Sequence, residues 1–171
     1  MDWKKLVILS ISIGLLQSCF LKAYTTTEYG SDRPKHNRFK IGKYPYNLKF
    51  DDPIKTDFVY TKIDSAYFKS AITKENVLFV NNVFLRFFSN GRYLKSSTKK
   101  NYNSALEDYN NLKNGIVGYY EIKDNKLFLE YFLTNAHNNG KYYMLELNLI
   151  KDSIEGYKKL KIEGLTGTPD W

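Results

Sequence analysis

The chain has 171 residues and a formal net charge of +8, with 26 lysines and arginines against 18 aspartates and glutamates. It contains one cysteine and two histidines, His36 and His137, which are far apart in the sequence. Two isolated histidines form a metal site or activate a nucleophile only if distant loops bring them to the right partners. We therefore expect no catalytic residue, no metal site and no cofactor.

The N-terminus has the pattern of a secretory signal. Lys4 and Lys5 precede an apolar run over residues 6–16, and small residues follow it. The run is about half the ~20 residues that a membrane-spanning helix needs. Residues 1–18 are therefore predicted to be a signal peptide that is cleaved and takes no part in the fold.

The only cysteine lies at the end of this signal. Leu16, Gln17, Ser18 and Cys19 resemble the lipobox of bacterial lipoproteins. The resemblance implies cleavage before Cys19, attachment of a diacylglycerol to its thiol, and acylation of the new amino group by a fatty acid such as palmitate. One acyl chain binds a bilayer marginally and two or more bind it firmly.

Membrane lipid is accordingly the expected partner of acylated Cys19. The resemblance implies a lipid-anchored protein of the cell envelope, on the periplasmic side of the outer membrane. The alternative is an ordinary cleaved signal that leaves Cys19 as a free thiol.

Residues 19–54 carry prolines, glycines, threonines and scattered charge without a sustained apolar period. Such a composition buries too little apolar surface to offset the entropy of ordering, so we predict a lipid-anchored, flexible, basic linker. Each basic residue gains about 1 kcal/mol beside anionic lipid. Export also separates the chain from nucleic acid, so a membrane surface is expected beside this segment and no nucleic acid.

The first strand signal of the next segment is a hairpin around Asn90 and Gly91. This pair predicts a two-residue type I′ turn, in which both central residues have positive φ. The turn would place Phe87 opposite Leu94. Leu85, two residues before Phe87, would then lie with both on the interior face.

A second hairpin is predicted around Asp124 and Asn125, with a further Tyr-rich strand after it. By the period of two, the hairpin places four side chains on the interior face: Tyr120, Ile122, Leu129 and Tyr131. Between the hairpins, Ser104 and Glu107 have the spacing of a capping box. This spacing predicts one short helix that covers an open end or an edge of the sheet.

Residues 55–171 are long enough for one domain with its own core. We predict a mainly β fold: an antiparallel meander that curls into a lipocalin-like or partial β-barrel, because closure removes unpaired strand edges. The stretches LRFFSNGRYL and GYYEIKDNKLFLEYF resemble the lipocalin-like lipoproteins of exported bacterial proteomes. That resemblance implies a barrel whose interior binds a ligand.

Three functions are compatible with this fold. The first is a non-enzymatic module that binds a small apolar or amphipathic ligand among the predicted interior side chains, which are Leu85, Phe87, Leu94, Tyr120, Ile122, Leu129 and Tyr131. The second is a docking or assembly module, whose aromatic outer sheet face binds an envelope protein or a glycan. The third is glycoside hydrolysis by two of three glutamates, Glu121, Glu130 and Glu146, if two carboxylates lie roughly 5 to 10 Å apart. A solvent-facing sheet surface explains the same glutamates without catalysis.

The lipobox resemblance generates a direct prediction. Cys19→Ser should release the protein from the membrane fraction, because it removes the thiol that would carry the lipid. Metabolic labelling with a fatty acid, followed by fractionation, measures both parts. A wild-type chain without label, together with a mutant that stays in the membrane fraction, would contradict lipidation.

Overall fold

The computed structural model describes Trp3 and residues 22–69, 71–99, 105–135 and 139–169. Cys19 and nearly all of the predicted signal peptide lie outside the described residues. In chain order the elements are β1 (Tyr24–Thr26), β2 (Asp32–Pro34), a single 3-10 turn (Ile41–Lys43), β3 (Phe58–Lys69), β4 (Asn76–Phe87), β5 (Arg92–Lys99), α1 (Leu106–Asn110), β6 (Ile116–Lys123), β7 (Lys126–Thr134), β8 (Gly140–Ile150), β9 (Ser153–Ile154) and β10 (Lys158–Lys161). No helix among the described residues combines the length and the apolar character that crossing a membrane requires.

Eight strands form one antiparallel sheet in the order β10-β3-β4-β5-β6-β7-β8-β9. The two ends of the sheet meet where β9 contacts β10, and the Tyr157 N–H donates a hydrogen bond of 3.0 Å to the Ile154 carbonyl. The sheet is therefore a nearly closed barrel. This confirms the predicted mainly β fold, an antiparallel meander of partial-barrel type with one short helix. β1 and β2 pair separately, as a two-stranded sheet.

The hairpin between β4 and β5 differs from the prediction by one residue. The Phe88 N–H donates to the Arg92 carbonyl at 3.0 Å, which leaves a loop of three residues. Only Gly91 in that loop has positive φ, at 77°. The loop is thus a type I turn followed by a glycine in the left-handed region, instead of the predicted type I′ turn.

This change of register corrects the predicted position of Leu94. Leu94 pairs with Arg86, and Tyr93 pairs with Phe87. Because side chains alternate along a strand, a slip of one residue moves each of them to the opposite face. Tyr93 therefore lies inside the barrel, and Leu94 lies on the outer face.

The second hairpin has the predicted turn. Asp124 and Asn125 have φ of 52° and 58°, and Lys123 pairs with Lys126 across them. These values match a two-residue type I′ turn, in which both central residues are left-handed. The register predicted for β6 and β7 is therefore confirmed.

The barrel interior is packed with aromatic and aliphatic side chains. Its buried members are Ile54, Tyr60, Leu85, Phe87, Tyr93, Tyr120, Leu127, Leu129, Leu149 and Ile154. Phe87 is the centre of an aromatic group, since its ring meets Tyr60 at 5.5 Å and Tyr120 at 5.0 Å, both edge-on. Edge-to-face pairs of this kind add about 0.5–1.5 kcal/mol each to the burial of apolar area.

Helix α1 covers part of the outer face of the sheet, instead of the predicted open end or edge. Tyr109 of α1 packs edge-on against Phe84 with ring centroids 5.1 Å apart. The Ala105 N–H at the start of the helix donates to the Asp108 carboxylate at 2.8 Å. Ser104, the predicted cap, lies outside the described residues.

Arg86 joins α1 and the C-terminal segment to β4. Its side chain is 3% exposed, and it donates to the Tyr109 carbonyl at 2.8 Å, to Asn110 Oδ1 at 3.0 Å and to the Thr166 carbonyl at 3.2 Å. Burial lowers the pKa of Arg86 to about 10, so the guanidinium stays charged at neutral pH. The bonds therefore satisfy carbonyls at the end of the helix with a charged donor.

The segment predicted as a flexible linker is packed against the barrel from residue 22 onward, and that prediction is wrong for residues 22–54. Phe39 is 1% exposed and lies on the outer face with Tyr119 and Phe132. Ile54 is 0% exposed and belongs to the interior core. A few apolar side chains without a period suffice here, because the sheet supplies the surface that they cover.

The β4–β5 loop gives a stability prediction with an internal control. Gly91 and Gly156 have the same φ of 77°. A Cβ at Gly91 would lie 2.6 Å from Tyr46 N, whereas a Cβ at Gly156 would meet nothing within 4 Å. Gly156→Ala should therefore cost about 1–2 kcal/mol of backbone strain. Gly91→Ala should cost the same strain plus about 1–3 kcal/mol for the steric conflict.

Urea unfolding of the two variants measures the difference in the free energy of unfolding. Equal losses for Gly91→Ala and Gly156→Ala would mean that the loop does not contact Tyr46 as described.

Candidate functional site

The barrel is closed along only part of its length. β10 pairs with residues 58–61 of β3, and β9 pairs with Leu149 and Ile150 of β8. Beyond these pairs, residues 62–69 of β3 and 140–147 of β8 have a strand partner on one side only within the described part of the chain. We call this half of the barrel the open end, and the half at β9 and β10 the closed end.

The interior of the closed end is filled by packed side chains. Its tyrosine hydroxyls are already bonded: Tyr46 donates to Asp52 at 2.9 Å, Tyr120 donates to the Phe88 carbonyl at 2.9 Å, and Tyr60 accepts from the Lys55 N–H at 3.0 Å. Buried hydroxyls with partners of this kind are typical of a finished core. A ligand at the closed end would have to displace packed side chains.

Most of the predicted binding residues lie in or beside that packed core. Leu85, Phe87, Tyr120 and Leu129 are buried in it, and Ile122 and Tyr131 pack against it from partly buried positions. Leu94 belongs to the separate outer cluster. Two of the predicted interior residues also adjoin the open end: Leu129 pairs with Leu145, and the Tyr131 ring stacks on Tyr143 at 5.7 Å.

A groove of about 540 Å³ lies at the open end, lined by Asp64, Ser65, Ala66, Phe79 and Asn81. Three of these residues are consecutive in β3. Since side chains alternate along a strand, three consecutive lining residues show that the groove follows the unpaired edge of β3. Ala66 pairs with Phe79, and Asp64 pairs with Asn81, so both pairs lie on the inner face.

Three tyrosines lie in or against the packed core on its side toward the open end. Tyr93 is 1% exposed, and Tyr131 and Tyr157 pack against the core from partly buried positions. Burial holds the pKa of Tyr93 well above its usual value, and the nearby Tyr131 and Tyr157 raise it further. The raised pKa keeps the phenol of Tyr93 protonated at neutral pH.

Charged groups lie beside this tyrosine group. Lys62 Nζ is 5.9 Å from the centroid of the Tyr157 ring, in a cation–π contact. Burial, followed by the negative charge of Asp64, raises the pKa of Tyr157. Asp64 also borders the groove.

Two of the three glutamates considered for hydrolysis, Glu130 and Glu146, already bond other groups of the protein. Glu130 is 3% exposed, and its two carboxylate oxygens accept the N–H groups of Lys40 at 2.9 Å and Ile41 at 2.8 Å. Glu146 accepts from Lys126 at 2.5 Å across the outer face. Glu121 and Glu146 both lie opposite Phe128, so its side chain stands between them. Glu130 therefore holds the N-terminal segment against the sheet.

The histidines give no metal site in the described part of the chain. The His36 carbonyl accepts a hydrogen bond of 2.7 Å from the Tyr142 hydroxyl, and His137 lies outside the described residues. No group of three or more histidine, cysteine, aspartate or glutamate side chains in the described ranges is placed to hold a metal ion.

Sequence reasoning did not find Lys62, Asp64, Phe79, Tyr93 or Tyr157 as site residues. Tyr93 was missed because the loop of the first hairpin has three residues instead of two. The other four depend on β3 being much longer than β10, and no local pattern specifies that difference. A prediction that β3 and β4 form a long hairpin would have come nearest to showing that β3 extends beyond its other partner.

Comparison of the chain with protein-family models, with curated proteins and with solved structures finds no match. The candidate site is defined by the structure alone, as the groove at the open end of the barrel.

The contrast between Glu130 and Glu146 gives a second stability prediction. Glu130→Gln replaces one charged acceptor of two backbone N–H bonds by a neutral amide group, and should cost about 1–3 kcal/mol. Glu146→Gln removes a half-exposed surface ion pair and should cost less than about 1 kcal/mol. Denaturant unfolding of both variants measures this order. A larger loss for Glu146→Gln would mean that Glu130 does not hold the N-terminal segment.

Proposed function

We propose that this protein is a non-enzymatic binding module for a small apolar or amphipathic ligand, which sits in the groove at the open end of the barrel. The observation that carries the proposal is the groove of about 540 Å³ along β3. Its volume falls within the roughly 300–1,000 Å³ that small-molecule sites occupy.

The lining of the groove supports an amphipathic ligand. Phe79 and Ala66 offer apolar surface, and Asp64 and Asn81 offer polar groups on the same face. A mostly apolar wall with a few polar groups is the usual character of such sites. The packed closed end limits the ligand to the open half of the barrel.

Lipid anchoring through Cys19 is the second part of the proposal. Ala23 already belongs to the hydrogen-bonded part of the domain, because its carbonyl accepts the Lys35 N–H at 3.0 Å. Four residues from Cys19 to Ala23 span at most about 14 Å. The tether would therefore hold the domain close to the bilayer, on a basic N-terminal segment that anionic lipid attracts.

A docking module remains a second candidate, and one observation favours it. β3 and β4 extend beyond their pairing with β10 and β5, and their outer face exposes apolar side chains, namely Ile63, Tyr67 and Leu78. Ile72, in the turn between these strands, is 93% exposed. An envelope protein that docks there would use the face opposite to the groove.

Substitutions on the two faces of this hairpin test the proposal. Ala66→Trp should fill the groove and weaken binding of Nile red, a neutral apolar dye, by about tenfold or more. Leu78→Trp lies on the opposite face and should leave dye binding unchanged. Neither change affects the packed core, so both variants should keep their unfolding midpoints.

Fluorescence titration of the chain from residue 20 onward, which contains all the buried residues of the described ranges, measures the affinities. Equal dye affinity for the wild type and Ala66→Trp, with a loss for Leu78→Trp, would place binding on the outer face and contradict the groove.

A further inference from the structure

The hairpin of β3 and β4 extends beyond its neighbouring strands at the open end and exposes apolar side chains there. We propose that this hairpin docks on a lipid bilayer with an anionic surface, and that its turn enters the head-group region. The surface is larger than the groove, and docking needs no ligand in the groove. The inference rests on the proposed function in one respect, since an anchor at Cys19 would hold the same end of the barrel at the membrane.

The first argument is the exposure of the hairpin. All side chains that the structure describes between Lys62 and Phe79 are exposed. Six of them are large and apolar: Ile63, Tyr67, Ile72, Val77, Leu78 and Phe79. A soluble protein rarely exposes so much apolar surface in one place, and such a patch marks a site of contact with a membrane or a protein.

The second argument distinguishes between these two partners. The outer face of the hairpin carries Ile63, Tyr67 and Leu78, and the inner face carries Val77 and Phe79. A protein that docks on a sheet covers one of its faces. A bilayer surrounds an inserted turn on all sides, so apolar side chains on both faces favour the bilayer.

The turn of the hairpin has the composition of an interfacial anchor. Ile72 is 93% exposed and lies beyond the last strand pair, which joins Lys69 and Asn76. Lys74 follows Ile72 by two residues, so a lysine stands on each side of it. Lysine side chains keep their charged ends at the level of the head groups while their stems lie along apolar surface. Insertion is therefore shallow, about 5–10 Å into the boundary between head groups and acyl chains.

The third argument is the place where the chain enters the domain. The His36 carbonyl accepts a hydrogen bond of 2.7 Å from Tyr142, in the open half of β8. Asp32 accepts one of 2.6 Å from Thr134, at the end of β7 that pairs with the start of β8. β1 pairs with β2 beside these contacts, so the chain enters at the open end. An anchor at Cys19 would place that end, and the hairpin with it, against the bilayer.

The fourth argument is charge. Within residues 62–80, lysines outnumber acids by three to two. The N-terminal segment and the start of β8 add exposed lysines at the same end, namely Lys22, Lys35 and Lys141. Of the acids beside them, Glu28 forms an ion pair and Asp32 accepts two hydrogen bonds. An excess of lysine near a membrane is attracted to anionic lipid.

Vesicle binding tests the inference without the anchor. The chain from residue 20 onward lacks Cys19, so its binding comes from the domain alone. It should bind vesicles of equimolar phosphatidylcholine and phosphatidylglycerol. Vesicles of phosphatidylcholine alone should bind about tenfold more weakly, because they offer the lysines no anionic surface. Added salt should weaken binding to the mixed vesicles.

Two isoleucine variants locate the contact. Ile72→Ser should weaken binding to the mixed vesicles by about tenfold or more, because it removes an apolar side chain that the bilayer buries. Ile150→Ser is the matched control, since Ile150 is half exposed at the closed end, where β8 pairs with β9. It should leave vesicle binding unchanged. Ile72 is exposed in the free protein, so Ile72→Ser should keep the unfolding midpoint of the wild type.

Tryptophan fluorescence measures insertion directly. Trp171 is the only tryptophan of the chain from residue 20 onward, and it is replaced by phenylalanine in both reporter variants. The emission of Ile72→Trp should shift to shorter wavelength on the mixed vesicles and should be quenched by brominated acyl chains. Ile150→Trp should show neither change.

Three results would overturn the inference. The first is equal vesicle binding by Ile72→Ser and Ile150→Ser, and the second is an Ile72→Trp emission that vesicles do not change. The third is a wild type that binds no vesicles and forms a dimer that Ile72→Ser converts to a monomer, since a second copy would then cover the hairpin. The dye titration of the groove and the labelling of Cys19 do not depend on these results, so failure of the proposed function is detected separately.

Discussion

The features of the candidate site depend on the difference in length between two paired strands: β3 has twelve residues, and its partner β10 has four. Where β10 pairs with β3, the barrel is closed and its interior fills with side chains. Where β10 ends, the inner faces of β3 and β8 continue, and no strand of the described ranges lies between them. An edge that is unpaired and backed by apolar surface is unstable against association unless something covers or charges it. Here the inner face carries Lys62, Lys95, Lys141 and Asp64, and these charges oppose association of the edge.

The closed end is held by contacts that the N-terminal segment makes with the sheet. Glu130 fixes the backbone of Lys40 and Ile41 on the outer face, and Ile54 enters the interior. The Gly91 loop must approach the backbone of Tyr46 so closely that a Cβ has no room. A site of this kind combines a rigid half, which fixes the positions of Tyr93 and its neighbours, with an open half that a ligand can enter.

Patterns confined to a few residues were predicted well from the sequence, and long-range pairings were not. The Asp124-Asn125 turn needs only two residues in the left-handed region, so its register followed from local chemistry. The Asn90-Gly91 pair is compatible with loops of two or three residues, and the choice of three reversed the faces of Tyr93 and Leu94. The packing of Phe39 and Ile54 depends on a sheet formed by distant segments. Near the candidate site, alternation placed Tyr131 on the interior face, whereas the exposed inner-face positions of Lys62 and Asp64 depend on the early end of β10.

The central claim is that the seam between β3 and β8 is open beyond residue 61 of β3. Amide hydrogen exchange, followed by NMR on the chain from residue 20 onward, tests it residue by residue, because an amide without a hydrogen-bond partner exchanges rapidly. We expect slow exchange throughout residues 58–61 and, within residues 62–69, rapid exchange of those amides that point away from β4. Uniformly slow exchange along the whole of β3 would show that the seam is closed and would contradict the open end.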